Sequence, residues 1–303
     1  MTTSLGVIGL GNMGGAIAQN LLAAGFQVVG LDIDTERMAP FTAGGGKPAA
    51  TPAEVTQEAD IVILSLPSVA ALEQVVHGSG GLLEGGRSGV ICIESGTFPL
   101  AAKISAAEAL ATRDIALLDC TVSGTGSQAR NRDIVVYASG PPELVAKCEP
   151  VFKAISRAAP RVGDFGAGST MKFVSNLLVA VHTVAAAEAL TLATKCGLDP
   201  GAALELITSG AGNSRMLEVR GPLMVAGDYD VGSATVETLN KDTEIIIGFA
   251  AGQNCPVPML SMAAAFLRSA AANGWHDQDP ASVKEVLSTL AGIVDEKKAG
   301  PGG

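Results

Sequence analysis

The stretch LGVIGLGNMGGAIAQNLLAAG, residues 5–25, decides how the chain begins to fold. Its opening LGVIGL is the kind of apolar run that forms a strand covered on both faces. Gly9, Gly11 and Gly14 then spell G-x-G-x-x-G, and a helix-length segment rich in Ala and Leu follows. Each glycine in such a loop has its own reason. Gly9 permits the tight turn, Gly11 lets the backbone approach a pyrophosphate, and Gly14 lets the helix pack close to the strand. Leu10, Asn12 and Met13 complete the loop. The helix start offers unpaired N–H groups and a partial positive charge to phosphates.

The same alternation continues beyond the loop. Apolar runs rich in Val, Ile and Leu recur at QVVGLDI (27–33), DIVILSL (60–66), GVICIES (89–95), IALLDCT (115–121) and DIVVYAS (133–139), with helix-length pieces between the early ones. Alternating β and α segments predict right-handed crossovers and a doubly wound α/β sheet of the Rossmann type. After about Gly163 no convincing strand follows. Ala/Leu-rich segments take over at 168–196, 200–209, 214–225, 237–253, 257–273 and 280–297. Asp199-Pro200 and Asp279-Pro280 read as helix starts, with Asp at the N-cap and Pro in the first turn. The expectation is a dinucleotide-binding domain over residues 1–164 and an all-helical substrate and oligomerisation domain over 165–303, with the tail AGPGG frayed.

The second strand ends in GLDID, which puts Asp32 about 20 residues beyond the glycines, where a carboxylate would accept hydrogen bonds from an adenosine ribose. The same charge repels the extra phosphate of NADP, so NAD is favoured and NADP less so. Arg37 is the counter-argument, because it could recruit that phosphate, and Asp34 could take the role of Asp32. A plain turn residue is the bland alternative.

The totals narrow the partners. A length of 303 residues suggests two domains. A net charge of −10 disfavours nucleic acid and anionic membrane as partners. Five cysteines, none in a CxxC pair, read as reduced, buried thiols of a cytoplasmic protein, and no basic leader precedes the first strand. The run Leu177–Ala193 is interrupted by His182 and Glu188 and reads as a buried helix, not a membrane span. His77, His182 and His276 are dispersed, so no metal site is expected.

Further on, GAGSTMKFVSN (166–176) opens the longest apolar segment with one lysine and, four residues later, one asparagine. On a helix Lys172 and Asn176 share a face. Gly168 sits one turn earlier, where a missing side chain would leave room for a ligand. The rest of the helix is apolar nearly all round, which predicts burial, and a partly desolvated lysine has its pKa lowered towards neutrality. Such an amine can accept a hydroxyl proton and return it. An ordinary surface lysine is the alternative.

Taken together, GVIGLGNMGGAIAQNL, SLP (65–67), ESGTFP (94–99), DCTVSGTGSQA (119–129), GAGSTMKFVSN and NKD (240–242) resemble the β-hydroxyacid dehydrogenases, and GAGNSRM (210–216) resembles the L-threonate dehydrogenase branch. The resemblance covers most of the chain and keeps the motifs in order. It implies an NAD(P)-dependent enzyme that moves hydride between a nicotinamide and a small 3-hydroxy or polyhydroxy acid. It implies Lys172 as the catalytic acid–base, with Asn176 orienting the hydroxyl or the lysine. Leu66, Pro67 and Thr97 would line the nicotinamide side. Ser123, Gly124 and Thr125 would hold the substrate carboxylate, their backbone N–H groups forming an anion nest. Lys241 would lie near both cofactor and substrate.

Two departures stand out. Thr125 replaces a family glycine, where a Cβ disfavours positive φ. Glu94 replaces the acid of the D-S-T motif, with Gly96 inserted, so Thr97 is placed to within one residue. Asn213, Ser214 and Arg215 are either a cap turn or substrate contacts. Arg130 and Arg132 read as solvated, and Trp275 as a packing residue. The apolar long helix also predicts a homodimer or homotetramer. The competing classes are an imine reductase-like enzyme and a non-catalytic NAD-binding scaffold of the same fold.

Overall fold

The structure is a computed structural model that describes residues 4–230 and 234–293. The tail AGPGG and the last four residues of the expected 280–297 helix lie outside the described residues. The chain divides into two compact units, Met1–Phe173 and Val174–Gly303.

The first unit is built on one sheet of β1 (Ser4–Ile8), β2 (Gln27–Leu31), β3 (Lys47–Pro48), β4 (Ile61–Leu64), β5 (Ile91–Glu94), β6 (Ala116–Ser123), β7 (Val135–Ser139) and β8 (Arg161–Gly163), in the order β3-β2-β1-β4-β5-β6-β7-β8. The near-continuous apolar runs follow from burial on both faces. Val7, Ile63 and Ile93 enter one core, while their chain neighbours Ile8, Val62, Leu64 and Cys92 enter the other, as the two-residue period of a strand requires. Fully burying a side chain of this kind contributes about 1.5–3 kcal/mol, so both faces hold the sheet.

The sheet departs from the expected parallel pattern at one place: β7 runs antiparallel to β6, pairing Ser123 with Val135. The link between them covers only residues 124–134, with one short helix, Gly126–Arg130. A parallel crossover needs a dozen or more residues, so the chain turns back on itself. Strands β3 and β8 escape a reading by apolar runs because they are two and three residues long. Lys47-Pro48 and Arg161 suit the sheet edges they occupy.

The helix Ala167–Lys195 runs from the first unit into the second. Helices Pro200–Thr208, Arg215–Ala226, Val236–Gly252, Pro258–Ala270 and Val283–Leu290 follow, and no strand follows Gly163 among the described residues. The start signals work as chemistry. Asp199 accepts the Ala202 N–H at 2.8 Å and Asp279 accepts that of Ala281 at 2.9 Å. The helix expected to reach residue 273 is α-helical only to Ala270 and ends in a π-type turn around Gly274, at φ 89°. Trp275 packs edge-to-face on Tyr229, with ring centroids 5.6 Å apart. Arg220, nearly buried, donates to Asp279 at 2.9 Å and to Thr183 at 2.8 Å, joining three elements of the second unit.

Two expectations need correction. The long helix is not buried all round. Phe173, Ala180, Thr183, Ala187 and Leu190 are buried, but Met171, Val174, Leu178 and Leu192 are exposed. Its length and composition alone would also allow a membrane span, with a mean hydropathy of 1.7. Nor are the thiols uniformly buried. Cys92, Cys120 and Cys148 are, and burial pushes each thiol pKa up, but Cys196 and Cys255 are exposed.

Candidate active site

The glycine loop shows in distances why each glycine stands where it does. Gly9 has φ +90°, and a Cβ there would lie 2.2 Å from the Ser65 carbonyl oxygen. A Cβ on Gly14 would lie 1.9 Å from the Gly9 carbonyl oxygen, so the helix can start this close to β1 only without one. Gly11 is different: the only atoms near its missing Cβ belong to the Arg37 guanidinium, 3.3 Å away. That cradle is a space a side chain would fill. Gly11 is also the N-cap of the helix Asn12–Ala23, and no side chain caps it. The N–H groups of Asn12, Met13 and Gly14 therefore begin a helix with its positive end open to an anion.

Asp32, just past the end of β2, is nearly buried at its side chain. Its Oδ2 accepts the Leu10 N–H at 2.6 Å and its Oδ1 accepts the Asp34 N–H at 2.9 Å. It therefore braces the glycine loop, a role the turn-residue reading understated, and each oxygen keeps a further lone pair for a hydroxyl. Arg37 lies 3.2 Å from Asp34 and 3.8 Å from Asp32, held between the two acids.

The expected site segments follow the ends of neighbouring strands. Asp32 follows β2, the glycine loop follows β1, Leu66 and Pro67 follow β4, Thr97 follows β5, and Ser123–Thr125 close β6. Strand order β2-β1-β4-β5-β6 puts these loops in a row along one sheet edge, at the carboxyl ends of parallel strands. Four strand steps of about 4.8 Å make the row roughly 19 Å long. The sheet order reverses between β1 and β4, and such a switch point opens a ligand crevice. Leu66 reaches the glycine loop, its Cδ2 lying 3.5 Å from the Cβ position of Gly9. Pro67 is exposed and Thr97 half-buried.

The 123–125 turn differs from expectation in detail. Gly124 carries the positive φ, +139°, while Thr125 sits at φ −102° as the N-cap of the following short helix. Threonine is tolerated because the left-handed conformation falls one residue earlier. Its hydroxyl accepts the Gln128 N–H, and its own N–H donates to Gln128 Oε1 at 2.9 Å. The anion-nest expectation is corrected accordingly, since the Thr125 N–H is already engaged; the Ser123 hydroxyl and the Gly124 N–H are the donors left to consider. The turn abuts the glycine-loop helix, with the Cβ position of Gly126 only 3.0 Å from the Asn12 carbonyl oxygen.

Lys172 is half-buried in the first turns of the long helix. Gly168, one turn earlier, does not leave room for a ligand. A Cβ there would lie 2.4 Å from the Asp119 carbonyl oxygen and 2.5 Å from that of Tyr137. The space is filled by strand backbone, and the glycine lets the helix start press against β6 and β7.

Sequence reasoning missed a buried ion cluster beside this start. Lys103, on the helix Leu100–Ala111, lies 2.5 Å from Glu94 Oε2 and 2.8 Å from Asp119 Oδ1, and donates to the Gly96 carbonyl at 2.7 Å. Glu94, Lys103 and Asp119 are all fully buried. Burial pushes the Glu94 carboxyl above its usual range against the pull of Lys103. Burial alone would lower the Lys103 pKa, but the attraction and hydrogen bonds of the two acids outweigh it and the ammonium persists. Glu94 therefore faces Lys103 in the interior. The signal was a lone lysine among alanines in LAAKISAAEA, with one acid closing ICIE and another inside ALLDC.

In the second unit, Asn176 is buried and donates its Nδ2–H to Asp242 Oδ2 at 2.7 Å. Asp242, also missed, lies 3.3 Å from the Lys241 ammonium, so one carboxylate organises two expected site residues. The 213–215 alternatives resolve towards a cap turn. Ser214 accepts the Leu217 N–H at 3.1 Å, and Asn213 and Arg215 both bind Glu218, whose pKa their hydrogen bonds lower. Among the described residues no group of three or more His, Cys, Asp or Glu could hold a metal ion.

Comparison with known proteins bears on the whole arrangement. The family described as the NAD binding domain of 6-phosphogluconate dehydrogenase matches residues 4–166. The family described as NAD-binding of NADP-dependent 3-hydroxyisobutyrate dehydrogenase matches residues 166–287. The L-threonate dehydrogenase of Cupriavidus necator is 35% identical, over 95% of this chain and 97% of its own. The 2-(hydroxymethyl)glutarate dehydrogenase of Eubacterium barkeri is 31% identical, over 95% and 96%. A crystal structure of 3-hydroxyisobutyrate dehydrogenase from Salmonella typhimurium superposes with a TM-score of 0.85 at 31% identity, covering 94% of this chain and 99% of that one. With a cofactor cradle fitted to a dinucleotide and relatives matching nearly end to end, this chain belongs to the β-hydroxyacid dehydrogenase family.

Proposed function

We propose that the protein oxidises a small polyhydroxy acid of the L-threonate kind with NAD, using Lys172 as general acid–base. The observation that carries this reading is the row of loops after β2, β1, β4, β5 and β6, whose order suits an extended dinucleotide. Asp32 would meet the adenosine ribose and the open helix start at Asn12–Gly14 the pyrophosphate. Leu66, Pro67 and Thr97 would flank the nicotinamide, and Ser123 and Gly124 would take the substrate carboxylate. The bound nicotinamide supplies an acceptor for the hydride that leaves the hydroxyl-bearing carbon. Lys172 Nζ takes the hydroxyl proton as the carbonyl forms, and in reduction the ammonium gives it back. In the second unit Asp242 ties Asn176 to Lys241, the two residues to which the family resemblance gives an orienting and a binding role.

The test is a panel of threonate, 3-hydroxyisobutyrate and glycerate with NAD or NADP, and tartronate semialdehyde with the reduced cofactors, followed by absorbance. Turnover of threonate with NAD above the others supports the reading; no turnover of any hydroxy acid refutes it. In the same assay Asp32→Ala should lower kcat/KM with NAD by about 10–100-fold, the weight of a hydrogen bond to a charged group, and narrow the NAD-over-NADP gap. An unchanged preference would rule out the ribose assignment.

The exposed Met171, Val174, Leu178 and Leu192 support a homodimer or homotetramer in solution. A monomer in sedimentation at assay concentration would overturn that.

A further inference from the structure

The Lys103 ammonium has three N–H donors and three acceptors around it: the Gly96 carbonyl at 2.7 Å, Asp119 Oδ1 at 2.8 Å and Glu94 Oε2 at 2.5 Å. Its two hydrogen bonds and its ion pair with Glu94 all lie inside the first unit, and its side chain is 0% exposed, so it cannot itself bind a ligand. Such a cluster is also a poor source of stability, because desolvation offsets much of the attraction. What it provides is direction, and the acceptors show where. Gly96 precedes Thr97 in the turn after β5. Asp119 receives the Ser169 N–H at 2.7 Å and the Ser169 hydroxyl at 2.9 Å, in the helix turn just before Lys172. The Thr121 hydroxyl holds that same helix turn by donating to the Gly168 carbonyl at 2.7 Å.

We propose that Lys103 is a positioning residue, clamping the Gly96–Thr97 turn and the start of the Lys172 helix to the ends of β5 and β6, so that the turn flanking the nicotinamide and the proton-carrying amine keep one mutual geometry. The kinetic half of this inference rests on the hydroxyacid dehydrogenase reading with Lys172 as acid–base. The clamp itself rests on the bonds just described.

The experiment pairs amide hydrogen exchange with kinetics in the full chain. Lys103→Met should speed exchange about tenfold or more at residues 95–98 and 168–172, with residues 5–18 unchanged, because local opening is governed by local bonding. It should lower kcat by about 10–100-fold, the scale of a misplacement near 1 Å, leave the KM for NAD within about twofold, and raise the primary deuterium isotope effect on kcat. A purely structural loss would scale the amount of active enzyme without touching the isotope effect. Should Lys103→Met fail to fold, Ser169→Ala removes a single hydroxyl bond to Asp119; it should speed exchange at 168–172 and lower kcat by about three- to tenfold. Wild-type exchange in these segments in a folded variant overturns the clamp, and faster exchange with unchanged kcat and isotope effect overturns the positioning role. If the wild-type chain turns over no hydroxy acid, the functional reading falls by itself, and the exchange comparison still decides the clamp.

Discussion

Lys172→Met is expected to cut kcat by about 10²–10⁴-fold, the range that a positioned acid–base supplies, while NAD binds within about twofold of wild type. Methionine keeps the length and helix propensity of lysine, and the site is half-buried, so the helix has no reason to break. The variant removes only the amine. Its cofactor affinity should hold because the glycine loop is braced by Asp32 and by the helix start at Asn12, which follow β2 and β1 rather than the long helix. Titration of NAD by fluorescence and single-turnover absorbance with threonate separate the two effects. Small primary amines added to the assay should restore part of the rate. A variant with wild-type kcat would show that the proton goes elsewhere, and one that has lost NAD binding would show that the amine serves the cofactor.

The second large effect concerns the glycine loop, where two kinds of loss can be told apart. Gly14→Ala puts a Cβ 1.9 Å from the Gly9 carbonyl oxygen, and Gly9→Ala puts one 2.2 Å from that of Ser65 on a backbone at φ +90°. Both obstacles are main-chain atoms, so no rotamer relieves them, and the helix start must retreat by about 1 Å or more to reach ordinary contact. Each substitution should cost about 1–3 kcal/mol of stability and weaken NAD about a hundredfold or more as the helix N–H groups leave the phosphates. Gly11→Ala is the informative control. Its Cβ meets only the half-exposed side-chain end of Arg37, at 3.3 Å, so thermal stability should stay near wild type while NAD affinity still falls about tenfold or more, the cradle being filled. Calorimetry with and without NAD reads both quantities. Wild-type affinity in Gly11→Ala would mean that the dinucleotide does not cross this loop.

What the chain discloses before folding, and what it withholds, follows from the range of the forces involved. The central strands were legible because burial on both faces leaves continuous runs such as IVIL and ICIE. The antiparallel β7 was not, since DIVVYAS has the same apolar look and its direction is set by the short 124–134 link. The glycine loop was legible because its spacing encodes local backbone geometry. Gly168 was misread because a sequence does not say whether a missing side chain faces a ligand or, as here, two strand carbonyls. Lys103 was overlooked for a related reason. Its partners are 9 and 16 positions away on two strands, and only the crossover brings them together. Thr125 looked like a loss at a glycine position, yet the positive φ lies on Gly124 and Thr125 is extended.

The unequal burial of the five sulfurs supplies a ready gauge for all these variants. Cys92 lies two residues before Glu94 and Cys120 lies next to Asp119, both deep in the sheet, whereas Cys196 and Cys255 face outwards. An alkylating reagent therefore finds two open targets on the intact chain, Cys92 and Cys120 only after β5 and β6 part, and Cys148, between the helices Pro142–Lys147 and Glu149–Ile155, only after those helices loosen. Counting adducts by mass thus distinguishes a protein whose chemistry is misaligned from one whose sheet has come apart.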